Sequence, residues 1–261
     1  MKMKSAGKIT IFHLYRKDGT ALFLHPFDDA EVLLALDENT QINGKYGQEP
    51  QVEYITLFRQ GLYQAVDTAV SSWIQEKKFI PNFLWASVGF LVLYFLFTFS
   101  VRDPLPMVDE IVLAGAGAIG LYFYRLRKAH ALPQAEQLRK KLRWRMDQIE
   151  FNEDPFVKEV EELLHRYESV SRDKLLQSAY LQDEVSLSES EIKDAYSLIA
   201  YLEKRFSGKV YQKQEKMIDR YVSSGGKSRR FDALGTLAER GKIDLSLFVT
   251  YRSLKRRARV R

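Results

Sequence analysis

Residues 79–101 read FIPNFLWASVGFLVLYFLFTFSV, 23 positions without a charged side chain. A helix rises about 1.5 Å per residue, so a run of this length reaches across a hydrocarbon layer of roughly 30 Å. Phe83, Trp85, Phe90, Tyr94, Phe95, Phe97 and Phe99 would fall on every face of that helix. A helix that is apolar all round belongs in lipid or in a very large core. A chain of 261 residues with polar segments on both sides offers no such core. The stretch predicts a transmembrane helix.

Arg102–Pro106 interrupts the pattern with two prolines, and a second uncharged run, Ile111–Tyr124, follows over 14 residues. It reaches membrane-spanning length if the helix starts near Pro106. Asp109 and Glu110 then occupy its first turn, where acids face the headgroups and complement the helix dipole. The short connection forces the two helices to run antiparallel. The expected unit is a transmembrane hairpin over residues 79–125, with spans at about 80–101 and 106–124.

Orientation follows from the basic residues. Lys77 and Lys78 precede the first span; Arg125, Arg127 and Lys128 follow the second, with Arg139, Lys140, Lys141, Arg143 and Arg145 beyond them. The loop carries only Arg102, beside Asp103. The positive-inside rule predicts a multi-pass protein with both termini cytoplasmic, in the plasma membrane, or the inner membrane if the source is bacterial. MKMKSAGKIT at the N-terminus has no apolar core, so no cleaved signal peptide is expected.

Before the apolar run, residues 1–50 predict a small α+β cytoplasmic domain. ITIFHLY and ALFLH flank Asp18-Gly19, a type I′ hairpin signal. Asp28 or Asp29 caps a short helix through Leu36, and Asn43-Gly44 with Gly47 and Pro50 reads as a loop. Residues 51–78 predict an amphipathic stalk helix, with Ile55, Phe58, Leu62, Ala65, Val66, Ala69, Val70 and Trp73 at amphipathic helical spacing.

Beyond the hairpin, residues 126–224 predict an α-helical cytoplasmic domain. A basic helix covers 134–150. Asp154-Pro155 starts another, along which Phe156, Val160, Leu163, Tyr167 and Val170 recur at spacings of three and four. Ser188-x-x-Glu191 reads as a capping box for a helix through Phe206, stopped by Gly208, and a further helix is expected over 209–222. Residues 225–261 read as a basic tail. They hold eleven Lys or Arg against three acids, a local charge of +8 within a chain of net +6.

That tail gives the first candidate site. Lys255, Arg256, Arg257, Arg259 and Arg261 point to an anionic partner, either lipid headgroups or nucleic acid, with lipid the nearer one for a membrane protein. The second candidate site lies in the second span, where Ala114-x-x-x-Ala118 and Ala116-x-x-x-Gly120 are small-residue pairs of the kind that let transmembrane helices approach closely. The overlapping Gly115-Ala-Gly117-Ala-Ile-Gly120 also spells a dinucleotide-binding fingerprint. The basic helical sequence that follows supplies no second strand, so helix packing is the expected role. Gly226-Lys227-Ser228 ends like a phosphate-binding loop, but position 221 is tyrosine and no strand precedes it.

With no cysteine, thiolate catalysis, disulfides and Cys-based metal sites are excluded. The four histidines, His13, His25, His130 and His165, are not at metal-ligand spacing. No catalytic residues, cofactor or metal are expected. The expected role is a non-enzymatic scaffold or interaction protein presenting cytoplasmic domains at the inner membrane face. The alternative is an oligomeric pore or transport component built from the hairpin, with Asp103, Asp109 and Glu110 at its mouth. The bilayer is the expected partner, and the hairpin also suits a homo-oligomer.

Overall fold

A computed structural model of the chain describes residues 7–100, 108–130, 132–171, 174–175, 191–206, 208–209, 211–213, 215–216 and 244–259. The fold is mostly helical with one small sheet. In order, the elements are β1 (Lys8–Tyr15), β2 (Ala21–Leu24), α1 (Ala30–Leu34), β3 (Gln41–Tyr46), α2 (Val52–Ser100), α3 (Val108–His130), α4 (Pro133–Asp147), β4 (Glu150–Glu153), α5 (Pro155–Glu168), α6 (Ile192–Arg205) and α7 (Leu245–Arg259). The chain forms two compact units. The first comprises Met1–Pro26, Glu38–Phe58 and Ile149–Arg261, and the second Phe27–Asp37 and Arg59–Gln148. This division differs from the expected one between residues 1–50 and 126–224, each of which falls on both units.

The sheet explains the difference. Its order is β2-β1-β3-β4. β1 pairs antiparallel with β2 and parallel with β3, and β3 pairs parallel with β4, setting Gly44 opposite Phe151. Parallel neighbours require a long crossover, and here the crossover from β3 to β4 contains all of α2, α3 and α4. β3 (QINGKY) and β4 (EFNE) are short and carry few large apolar residues, so neither stands out as a strand from its own sequence. Asn43-Gly44, expected in a loop, lies inside a strand. Gly44 is required there because a Cβ would stand 2.4 Å from the Phe151 ring.

Side chains alternate across β1. Phe12 and Leu14 enter the core shared with α5, α6 and α7, beside Phe156, Leu164, Leu198 and Phe248. His13 and Tyr15 sit on the opposite face near Phe23, which stacks on Phe58 at 4.2 Å. The turn between β1 and β2 is longer than a two-residue I′ turn. It spans residues 16–20, with Arg16 N–H donating to Thr20 O and only Gly19 at positive φ (+80°) among the described residues. Asp18 accepts from the Thr20 N–H and hydroxyl, fixing the loop without an αL aspartate.

Helix starts follow local chemistry in two places. Asp29 accepts from Glu31 N–H to cap α1, and Asp154 accepts from Phe156 and Val157 N–H to cap α5, with Pro155 at the first helical position. At α6 Glu191 is the N-cap residue and makes no side-chain cap bond; the expected capping box begins at Ser188, which lies outside the described residues. Most of the helix expected over 209–222 also lies outside them.

Candidate functional site

The candidate site is the apolar part of the second unit. Among the described residues, one helix, Val52–Phe99, is long and apolar enough to cross a membrane, with mean hydropathy 1.8 over its best window. Only 6% of that stretch is buried within the chain, so the rest of the chain does not enclose this part of the helix. Its large side chains are uncovered: Ile80 is 66% exposed, Phe83 57%, Val92 58% and Phe99 82%. α3 shows the same character over a shorter length, with Val112, Ile119 and Phe123 exposed, but charges stand near both its ends.

Close approach between α2 and α3 is set by glycines. A Cβ on Gly117 would lie 2.4 Å from Leu93 Cδ1, and one on Gly89 would lie 2.8 Å from Leu121 Cδ2. The Arg125 guanidinium stands over the Trp85 ring at 5.0 Å. Partner numbers fall on α3 as they rise on α2, so these helices run in opposite directions. The same sense continues along α4. Tyr63 donates to Asp147, and Asp67 pairs with Arg139 at 3.0 Å and with Arg143 at 2.7 Å. Apolar residues of α2 (Leu62, Val66, Val70) and of α4 (Ala135, Leu142, Met146) are buried here. Polar residues therefore bind the helices at one end, while apolar exposure dominates the other.

The predicted packing residues divide. Ala114 and Ala118 are buried, Ala114 completely. Ala116 and Gly120 are exposed, and a Cβ at Gly120 would meet nothing within 4 Å. The second small-residue pair therefore faces away from α2, and Gly117 and Gly89 form the contact in its place. All of residues 115–120 lie inside α3, without the strand and turn a dinucleotide fingerprint needs. Of the acids, Glu110 is buried at 5% exposure, Asp109 is exposed, and Asp103 lies outside the described residues. Gly226-Lys227-Ser228 also lies outside them.

Part of the segment expected as a basic tail is a folded helix. Residues 245–259 form α7, and Leu247, Phe248, Val249, Thr250 and Leu254 are fully buried. LFVTY is apolar or β-branched at every position, so the helix is enclosed on nearly all sides rather than solvated. Lys255 is not a free cation: its Nζ donates to Glu203 and Glu215 at 2.9 Å and to the Tyr251 hydroxyl at 2.6 Å. Burial pulls the Lys255 pKa down, but the bonds to Tyr251, Glu215 and Glu203 outweigh it and raise the value. The side chains of Arg256, Arg257 and Arg259, and all of Arg261, lie outside the described residues.

Two further basic side chains of the first unit are paired within the fold. Lys45 bridges Asp154 and Asp194, and Arg16 bridges Asp244 and Glu168. Tyr15, where β1 ends, is held by α5: its N–H donates to Glu161 Oε1 at 2.8 Å and its carbonyl lies 2.9 Å from His165 Nε2. Gly47 permits this close docking, since a Cβ would stand 2.7 Å from Lys158 Cα. His13 is fully buried between Tyr15 and Phe23, and neither ring nitrogen has a partner of normal hydrogen-bond geometry. Burial pushes its pKa down to about 4, opposed only in part by the Gln48 backbone. No family model, curated protein or solved structure matches this chain.

Proposed function

We propose that this is an integral membrane protein in which the apolar part of α2 and α3 form a two-helix transmembrane hairpin, with both termini cytoplasmic. Its function is that of a non-enzymatic scaffold, holding the sheet-containing unit at the inner membrane face for protein partners. The observation that carries the reading is the uncovered apolar surface of α2, which water cannot accommodate over so long a helix. The pairing of β4 with β3 supports the even number of crossings: chain before and after the helices joins one sheet, so both segments belong on one side of a bilayer. Lys77, Lys78, Arg125, Arg127 and Lys128 at the polar end make that side the cytoplasmic one. Arg256, Arg257, Arg259 and Arg261, without Lys255, contribute a contact to anionic lipid, with nucleic acid as the competing ligand.

Two experiments test this. The protein should stay in the membrane pellet after alkaline carbonate extraction. Reporter fusions at Met1 and Arg261 should both give a cytoplasmic signal and one at Asp103 the opposite signal. An extracytoplasmic signal from either terminus rejects the topology. Burial of the Glu110 carboxylate at the far end of α3 favours a second reading, an oligomeric cation pathway. That reading requires cation flux in reconstituted vesicles, lost in Asp109→Asn with Glu110→Gln. The scaffold should show none.

A further inference from the structure

Asn82 lies three residues into the uncharged run of α2, on the side that carries Trp85 and Gly89 toward α3. It is only 4% exposed, and its amide nitrogen has no hydrogen-bond partner. On α3, Arg125 stands over Trp85, about one helical turn along α2 from Asn82, and its Nε–H is also buried without an acceptor. Two buried N–H donors thus stand at one end of the helix contact, and no acceptor meets either. Leaving such donors unmet costs on the order of 1–3 kcal/mol each, more where one is charged, so native folds rarely keep them empty.

The surroundings select the missing acceptor. Lys77, Lys78, Arg127 and Lys128 flank the site, and from residue 79 to 101 there is no acid to neutralise Arg125. On the membrane reading proposed above, on which this inference rests, the level of Asn82 and Arg125 is the boundary between hydrocarbon and headgroups. A guanidinium there needs a counter-ion, and Arg matches phosphate oxygens with directed N–H bonds where Lys offers only a point charge. Trp85, held under the guanidinium, is a residue type that settles at this depth. We infer that Asn82 and Arg125 hold the phosphate of an anionic phospholipid at the cytoplasmic end of the α2–α3 contact. The lipid then serves as a third element of that contact.

Native mass spectrometry of the full-length protein in detergent provides the test. It is titrated with phosphatidylglycerol, with phosphatidylcholine and with inorganic phosphate. Phosphatidylglycerol should be retained at least tenfold better than phosphatidylcholine, and inorganic phosphate should not displace it at equal concentration. Asn82→Leu and Arg125→Gln should each weaken retention about tenfold, Arg125→Lys should lie between, and the exposed Arg127→Gln should change it less than threefold. Helicity by circular dichroism, unchanged in Arg125→Lys, keeps the comparison valid if a harsher variant unfolds. Equal retention of the two lipids, displacement by phosphate, or normal retention in Arg125→Lys and Arg125→Gln overturns the site. If that happens while the protein resists carbonate extraction, only the lipid site fails. Extraction of the wild-type protein by carbonate rejects the membrane reading and the site together.

Discussion

His13 shows how one side chain couples the fold to pH. Its folded pKa is depressed to about 4 because burial disfavours the imidazolium. The unfolded chain therefore takes up a proton near pH 6.5 that the folded chain refuses until about pH 4. In that window the unfolded state binds more protons, so stability rises with pH and is lost on acidification. A shift of this size corresponds to up to about 3 kcal/mol. Replacing His13 with Phe should remove the loss, so that the stability difference between variant and wild type, measured by urea denaturation, grows between pH 6.5 and 4 and is constant below. Lys255 titrates in the opposite sense. Its folded pKa is raised, so its contribution is present below the unfolded value of 10.5 and fades as pH rises through the folded value. Lys255→Met should cost about 2 kcal/mol at pH 7 by leaving Glu203 and Glu215 without their shared cation, and the difference from wild type should shrink in strong alkali.

At the scale of elements, α3 separates a pattern from its use. Ala116 and Gly120 satisfy the small-residue spacing but face open space, whereas Gly117, one residue along, meets Leu93. A spacing of four identifies a helical stripe without saying which stripe meets the neighbour, because every stripe of an apolar helix looks alike. Gly117→Leu should destabilise the solubilised helices by about 1–3 kcal/mol through overpacking against Leu93. Gly120→Leu should be silent within about 0.5 kcal/mol, since it touches nothing in the chain. The readout is loss of helical signal on titration with a denaturing detergent. Equal effects of the two changes would mean that α3 presents another stripe to α2.

At the scale of the molecule, the decisive feature is the interruption of one unit by another. β1, β2 and β3 precede the long helices and β4, α5, α6 and α7 follow them, yet they share a sheet and a core. The Phe58 and Phe151 rings lie 6.1 Å apart, so the two points where the chain leaves and re-enters the first unit are close. Replacing residues 59–148 with a short Gly/Ser linker of about six residues, and the apolar residues of 27–37 with polar ones, should give a soluble protein with one cooperative thermal transition, since closing a short loop costs little. A fragment from Asn152 to Arg261 should show no such transition, because its apolar helical faces lose the sheet they cover. A cooperative transition in that fragment would show that the C-terminal helices form their own core.

The sequence alone determined what depends on neighbours a few residues apart. The length and apolarity of α2 come from an unbroken run, the cap at Asp154-Pro155 from local backbone chemistry, and the α5 face from the spacing of Phe156, Val160, Leu163 and Tyr167. Tertiary structure decided everything that depended on partners far along the chain. The polar strand β3 exists because β1 offers it a hydrogen-bonding edge, β4 because β3 offers the next one, and a glycine opposite a phenylalanine gains meaning only once the register is set. α7 reads as part of a charged tail until its apolar positions are enclosed by α5 and α6, with Lys255 satisfied by acids forty or more positions away. Asn82 reads as one polar residue at the edge of an apolar run, and only the folded chain leaves its amide nitrogen buried without an acceptor. Periodicity carries local preference, whereas burial and pairing are properties of surfaces that exist only once distant segments have met.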